Sequence, residues 1–298
     1  MDSSLVVSGF IIVFVLLWGG VTIGGILWLR WRRKTKWPFK DSEKLLRGPG
    51  ESLKRQIAKM DEDFTLEFVA SIVGALLILP LTGWISKWLG LTGWKSLLIV
   101  LAGPTGILAG SGWRVLRLWK KRTKYFLGWF AERVTAENLR PLQAKGYFVF
   151  HDVPAEPGKA AFNLDHVVVG PTGVCLIETK CRRKGKAREG LKDHEVIFDG
   201  RQLTWPTGED RKSVEQAISE ADWLRKWIYE RLGLRIAVKA VVAVPGWYVR
   251  EGPSPSVRVV NPKILPDVIR GRGERVLDDQ LIDLISRLLD ERCRDVAD

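Results

Sequence analysis

The chain has 298 residues, 46% of them hydrophobic and 27% charged, with a formal net charge of +13 and three cysteines. That apolar fraction excludes intrinsic disorder, and so few cysteines exclude a small disulfide-stapled secreted scaffold. The length allows about two ordinary domains, and the uneven spread of charge and of the fourteen tryptophans points to two different materials joined end to end.

Residues 5–29 carry no charge, and about 20 apolar residues suffice to cross a bilayer core. A signal peptide would have a basic leader, a shorter apolar core and a small-residue cleavage site. Here the leader is MDSS and the run ends in Arg30, Arg32, Arg33 and Lys34, the pattern of an uncleaved anchor. Residues 30–64 form a basic loop with an amphipathic stretch, SLKRQIAKM. That stretch either lies on the anionic inner leaflet or is a solvated connecting helix. Two further apolar runs occupy 68–85 and 97–113. Pro104 and several glycines leave a re-entrant element open for the second of these, but membrane helices tolerate both residue types. The basic residues cluster in the 30–64 loop and after residue 113. By the positive-inside rule both segments are cytoplasmic and the N-terminus is outside, which requires three crossings. The expectation is an all-α transmembrane region of about three spans in the inner or plasma membrane. No ionisable residue lies within a span, so the region reads as an anchor and not a transporter. The organisation expected is a first span over 1–29, a cytoplasmic loop over 30–64, spans two and three over 65–121, and a cytosolic domain over 122–298.

The cytosolic part alternates α and β patterns. Residues 127–145 place Phe130, Val134 and Leu139 at helical spacing, with Gly146 as a stop. Residues 147–153 are β-rich. Residues 162–170 and 173–181 are strand candidates flanking Pro171-Thr172, and 194–205 form a second hairpin around Asp199-Gly200. Residues 213–232 make a helix with Val214, Ala217, Ile218, Ala221, Leu224 and Ile228 on one face. A continuous apolar strand over 235–244, a strand over 257–261 and an amphipathic helix over 276–293 complete a mixed α/β domain.

The hairpin over 162–181 carries the candidate chemistry. A turn centred between Pro171 and Thr172 sets Asp165 directly across from Glu178, with Lys180 two residues further along the same face. Directly opposed side chains lie about 5 Å apart, so the two carboxylates repel unless a cation separates them. Oxygen ligands of this kind suit Mg²⁺ or Mn²⁺, and Lys180 can hold a phosphate oxygen. A solvated hairpin face is the plain alternative. Against it stand the neighbouring Val167, Val168, Val169, Val174, Leu176 and Ile177, which make charge expensive if helices cover the sheet.

The run LDHVVVGPTGVCLIETK over 164–180 resembles the central signature of the nuclease-related domain (NERD) family, itself similar to the PD-(D/E)xK nuclease superfamily. The resemblance covers roughly 125–265. It is most specific at Asp165-His166, Pro171-Thr172-Gly173 and Ile177-Glu178-Thr179-Lys180. It implies a restriction-endonuclease-like mixed sheet flanked by helices. It further implies Asp165 and Glu178 as metal ligands, the Thr179 carbonyl as another, and Lys180 as the catalytic lysine. Glu132 would be an accessory metal-side carboxylate and Gln216 a helper near the phosphate. Upstream, the family's Gly-Glu pair is Ala131-Glu132 here. Downstream, its Gln matches Gln216 while its Asn-Pro is missing. Without the resemblance, Glu132 reads as a helix acid and Gln216 as a solvated helix residue.

His166 points to the opposite strand face and reads as a packing residue. Cys175, Cys181 and Cys293 lack zinc-ligand spacing and read as reduced thiols. Arg182, Arg183, Lys184, Lys186 and Arg188 form a basic run beyond Lys180 that is either a solvated loop or a guide for a nucleic-acid backbone. No phosphate-binding G-x-x-x-x-G-K-[ST] loop occurs. The expected function is a membrane-anchored, Mg²⁺- or Mn²⁺-dependent nuclease acting on DNA at the cytoplasmic face. The alternatives are a non-catalytic protein tethering DNA or a protein partner at the membrane, and a sensor whose spans oligomerise.

Overall fold

The computed structural model describes residues 44–155, 162–254 and 256–296, and seven scattered positions between 20 and 32. Apart from those positions, the expected first span lies outside the described residues. The chain divides into two compact units, one of Met1–Glu43 with Ile57–Thr123 and one of Lys44–Gln56 with Lys124–Asp298.

The elements in chain order begin with a short strand β1 (Leu45–Leu46), followed by two long helices, α1 (Glu51–Trp88) and α2 (Gly93–Leu139). The second unit continues with β2 (Phe148–Pro154), β3 (Asn163–Gly170), β4 (Gly173–Thr179), β5 (Glu195–Phe198), β6 (Leu203–Trp205) and β7 (Gly208–Asp210). Then come α3 (Lys212–Leu232), β8 (Val238–Ala243), β9 (Tyr248–Glu251), β10 (Val257–Val260), α4 (Leu265–Arg270), α5 (Asp279–Cys293) and β11 (Arg294–Val296).

In the first unit, α1 and α2 each contain a segment long and apolar enough to cross a membrane, with mean hydropathies of 2.2 and 1.4. α2 runs without interruption through Pro104, so no re-entrant break occurs there. It also runs through the basic stretch Lys120, Lys121 and Arg122 into the second unit's first helix, which sequence periodicity had treated as separate. The stretch SLKRQIAKM is the helical start of α1.

The second unit is mixed α/β, with two mixed sheets. The larger has the order β10-β8-β4-β3-β2 and the smaller β7-β6-β5-β9. β4 lies parallel to β8 on one side and antiparallel to β3 on the other. Both faces of the larger sheet are covered, which is why β3 and β4 read as near-continuous apolar runs. One face packs Val167, Val169, Val174 and Leu176 against α3 and α5. The other packs Val168, Cys175 and Ile177 against Leu139, Leu142, Leu265 and Ile269.

Several expectations shift in detail. The buried face of α2 near its end is Ala131, Glu132, Thr135 and Leu139, while Phe130 is 52% exposed, because the inward stripe is offset by one residue from the spacing first read. Gly146 does stop this segment, in the left-handed conformation after a 3₁₀ turn over Arg140–Lys145. The strand over 235–244 is paired only from Val238, and α5 starts at Asp279 with Asp278 as its cap. β7, β9, α4 and the β1–β11 pair carry no sequence pattern strong enough to have been expected.

Candidate active site

The site lies at the end of β4. The β3–β4 ladder runs from Gly170–Gly173 to His166–Ile177, the register a turn centred on Pro171-Thr172 demands. Gly173, at φ +109, supplies the turn conformation that L side chains resist. One step beyond the ladder, Asp165 Oδ2 accepts the Thr179 N–H at 2.7 Å in place of a strand bond. The Lys180 N–H extends the β4–β8 pairing to the Ala243 carbonyl at 2.9 Å, which fixes the backbone on which both Glu178 and Lys180 stand.

Strand alternation sends Glu178 and Lys180 to the face covered by α3, and Thr179 to the face covered by α2. The Thr179 hydroxyl meets that of Thr135 on α2 at 3.3 Å. Lys180 Nζ lies 2.6 Å from Glu178 Oε1 and donates to Gln216 Oε1 on α3 at 3.0 Å. Gln216 in turn donates from Nε2 to Glu220 Oε1 at 2.7 Å. A carboxylate only accepts, so Glu220 takes the amide nitrogen and turns the Gln216 carbonyl toward Lys180. Glu132, one turn before Thr135 on α2, accepts the Gly50 backbone N–H. The structure thus brings together Asp165, Glu178, Thr179, Lys180, Gln216 and Glu132.

Three carboxylate oxygens here, Oε2 of Glu132, Glu178 and Glu220, are buried without a donor group, and the Glu178 and Glu220 carboxyls lie within hydrogen-bonding reach of each other. Burial first, then repulsion from Asp152 and Glu178, pushes the Glu132 carboxyl up to about 8. Burial and Glu178 push Glu220 up to about 9, and burial with Glu178 and Glu132 raises Asp165 well above the usual carboxylate range. Burial opposes the charge of Lys180, but Glu178, Asp165 and Glu220 outweigh it and raise the ammonium above its ordinary value. Lys180 therefore stands at the site as an ammonium ion. Among the described residues, no three His, Cys, Asp or Glu side chains form a ready-made metal cage. The donor chemistry nevertheless fits a hard divalent cation: the orphaned oxygens are carboxylate ones, and an ion there would displace protons held by burial and then by mutual repulsion.

Glu220 is the residue that sequence reading missed. A glutamate in mid-helix reads as solvated, yet it is buried among the α3 residues Ala217, Ala221 and Leu224. Its separation of four from Gln216 was the available signal.

The basic run divides. Arg182 is held inward, its guanidinium 2.9 Å from Asp210 Oδ2 and stacked over Trp205. Lys184 sits over Trp247 at 5.7 Å, and Arg183, Lys184 and Lys186 are exposed. His166 is fully buried, with its Nδ1 2.8 Å from that of His151. All three cysteines are free.

A mixed sheet covered on both faces thus carries two acidic strand residues and a lysine that converge at a strand end between flanking helices. Residues 127–245 match the family model described as the nuclease-related domain, NERD, and the matched stretch contains Glu132, Asp165, Glu178, Lys180 and Gln216. No curated protein and no solved structure matches the chain.

Proposed function

We propose that this protein is a membrane-anchored nuclease that hydrolyses phosphodiester bonds of DNA at the cytoplasmic face of the inner or plasma membrane, with Mg²⁺ or Mn²⁺ as cofactor. The observation that carries the reading is the set of buried, unpartnered carboxylate oxygens of Glu132 and Glu178 beside Asp165 and a cationic Lys180. The ion would be held by Asp165, Glu178, Glu132 and the Thr179 carbonyl. Bound there, a divalent cation supplies Lewis acidity toward a phosphoryl oxygen and acidifies water. Lys180 offers its ammonium to a phosphoryl oxygen, where negative charge builds as the P–O bond to the leaving oxygen breaks. Gln216 and Glu220 hold that ammonium in place, and the apolar sheet around it strengthens the interaction by excluding water. Arg183, Lys184 and Lys186 add a backbone contact of the salt-dependent kind. Two long apolar helices provide the anchor, and the basic loops orient the domain to the cytosol.

A second reading, a DNA tether without catalysis, is favoured by one observation: Glu178 Oε1 is already engaged by Lys180 at 2.6 Å. The full chain in detergent, given supercoiled plasmid with Mg²⁺, Mn²⁺ or EDTA, decides between them. The nuclease reading expects metal-dependent cutting that falls by at least about 100-fold in Lys180→Ala, the scale of losing one transition-state charge partner. Salt-sensitive binding without cutting in both proteins establishes the tether instead.

A further inference from the structure

Residues 44–56, which end in the first turns of α1, lie far from the rest of the domain in sequence, yet they belong to its compact unit. β1 pairs with β11, and the Arg47 N–H donates to the Cys293 carbonyl at 3.0 Å. The side chain of Arg47, 9% exposed, donates to the carbonyl and carboxylate of Asp152 at 3.0 and 3.1 Å. Asp152 Oδ2 also accepts the Ser52 N–H at 2.8 Å, and Oδ1 accepts the Ser52 hydroxyl at 2.6 Å and Asn163 Nδ2 at 3.0 Å. Asp152 therefore acts as a cap for the first turn of α1, supplied from another strand. It does so from a backbone at φ 49, a conformation that costs energy and persists only where its surroundings fix it.

The outcome of this clamp is the position of Gly50. Its φ is +68, and a Cβ there would come within 2.8 Å of Trp129 and 3.4 Å of Glu132 Oε2. Only a residue without a side chain can approach so closely, and at that point its backbone N–H reaches the Glu132 carboxylate. Glu132 has an unpartnered second oxygen and is 6% exposed. A buried carboxylate in that state depends heavily on each donor it has.

We propose that the juxtamembrane segment 44–56 is a positioning element of the active site, in which the Arg47–Asp152–Ser52 clamp holds the Gly50 N–H against Glu132 and so keeps that carboxylate aimed at the metal. The proposal rests on the nuclease reading for its consequence, but the contact itself can be tested without it. The site is then completed by the chain that links it to the membrane helices, and a fragment starting near residue 124 lacks one of its donors.

The test uses the full chain in detergent. Gly50→Ala is expected to raise the Mn²⁺ concentration giving half-maximal cutting by on the order of tenfold, the usual effect of losing a group that orients a metal ligand. The KM for DNA stays unchanged. Ser52→Ala, which leaves Gly50 in place and loosens the clamp, shifts it in the same direction by less. In Gly50→Ala/Glu132→Gln the metal dependence is no worse than in Glu132→Gln alone, since both changes act through one contact. Additive losses, or a Gly50→Ala protein with wild-type metal dependence, overturn the proposal. Should wild type cut nothing, the nuclease reading fails and the contact is read by hydrogen exchange. The Gly50 amide is expected to be protected in wild type and to exchange on the order of tenfold faster in Glu132→Ala. Equal exchange in the two proteins overturns the contact.

Discussion

The two units bury opposite things. Between residues 57 and 123 the buried side chains of α1 are Met60, Ser71, Thr82 and Ser86, while Leu76, Leu79, Leu81, Leu97, Leu98, Leu101 and Leu108 are exposed. In the other unit Leu164, Val167, Leu176 and Ile177 are fully buried, and the charged residues other than those of the site and the Asp152 clamp lie mostly outside. Water drives the second arrangement by rejecting apolar surface. It cannot drive the first. A helix pair that turns leucine outward and hydroxyls inward suits an apolar solvent, in which association depends on close approach and interhelical hydrogen bonds. The comparison teaches that burial has no fixed chemical sign: the side chains that one unit turns inward, the other turns outward.

The strongest way to break this comparison is to make one substitution in both units. Leu176→Ala, at 0% exposure, is expected to cost the domain about 2–5 kcal/mol through lost transfer energy and the cavity left behind. Leu98→Ala, at 59% exposure, should leave the domain's thermal transition in detergent within about 0.5 kcal/mol of wild type. A matching loss from Leu98→Ala, followed by circular dichroism, would mean that its face is covered by protein after all.

The next effect concerns the carboxylates, which break the domain's own rule. Glu220 has an ordinary value of 4.5 and is pushed up to about 9, by burial and then by Glu178. A carboxyl raised on folding binds more protons in the native state than in the unfolded one. Its stabilising contribution is therefore present below pH 4.5 and is lost as pH rises toward 9. Glu220→Gln removes that slope. At pH 7 without divalent cations it should stabilise the domain by on the order of 2 kcal/mol, while the proposed nuclease activity should fall as Gln216 loses its carboxylate acceptor. An unchanged or lowered transition temperature, compared at pH 5 and pH 8, would show that Glu220 is not under strain.

The hairpin was legible because two local signals agreed. The Pro171-Thr172-Gly173 turn fixed a register, and the two-residue period of a strand fixed the faces, so Asp165, Glu178 and Lys180 could be placed from the sequence alone. The Asp199 turn was legible for a similar reason: its side chain accepts the Arg201 and Gln202 N–H groups at 2.8 Å, a purely local bond. Glu220 was hidden because helical periodicity assigns glutamate to water, and its partner Gln216, four residues earlier on the same helix, reads as solvated too. Arg47 and Asp152 are 105 residues apart. No periodicity reaches across such a distance, and the long apolar helices between them made the first segment look like part of the membrane region. The continuity of α2 through Lys120, Lys121 and Arg122 was hidden too, since a change from apolar to basic composition looks like the end of an element.

The smallest effect sharpens the comparison most, because it places one residue type in both units. Thr82 donates to the Val100 carbonyl on the facing helix at 3.0 Å, and its methyl would meet a Cβ at Gly103 within 2.7 Å. Valine keeps that shape and removes only the hydroxyl. Interhelical hydrogen bonds in membranes average about 0.6 kcal/mol, because the separated helices also find partners. Thr82→Val should therefore cost about that much, read from the unfolding of the full chain in micelles. Thr135 in the domain is fully buried, and its hydroxyl accepts the Thr179 hydroxyl at 3.3 Å while bonding back to Ala131. There the same substitution strands a buried donor that in the unfolded chain would be bonded to water, so Thr135→Val should cost about 1–3 kcal/mol. If the order were reversed, the helix pair would be relying on its hydroxyls as a water-soluble core relies on its own, and the contrast between the two units would not hold.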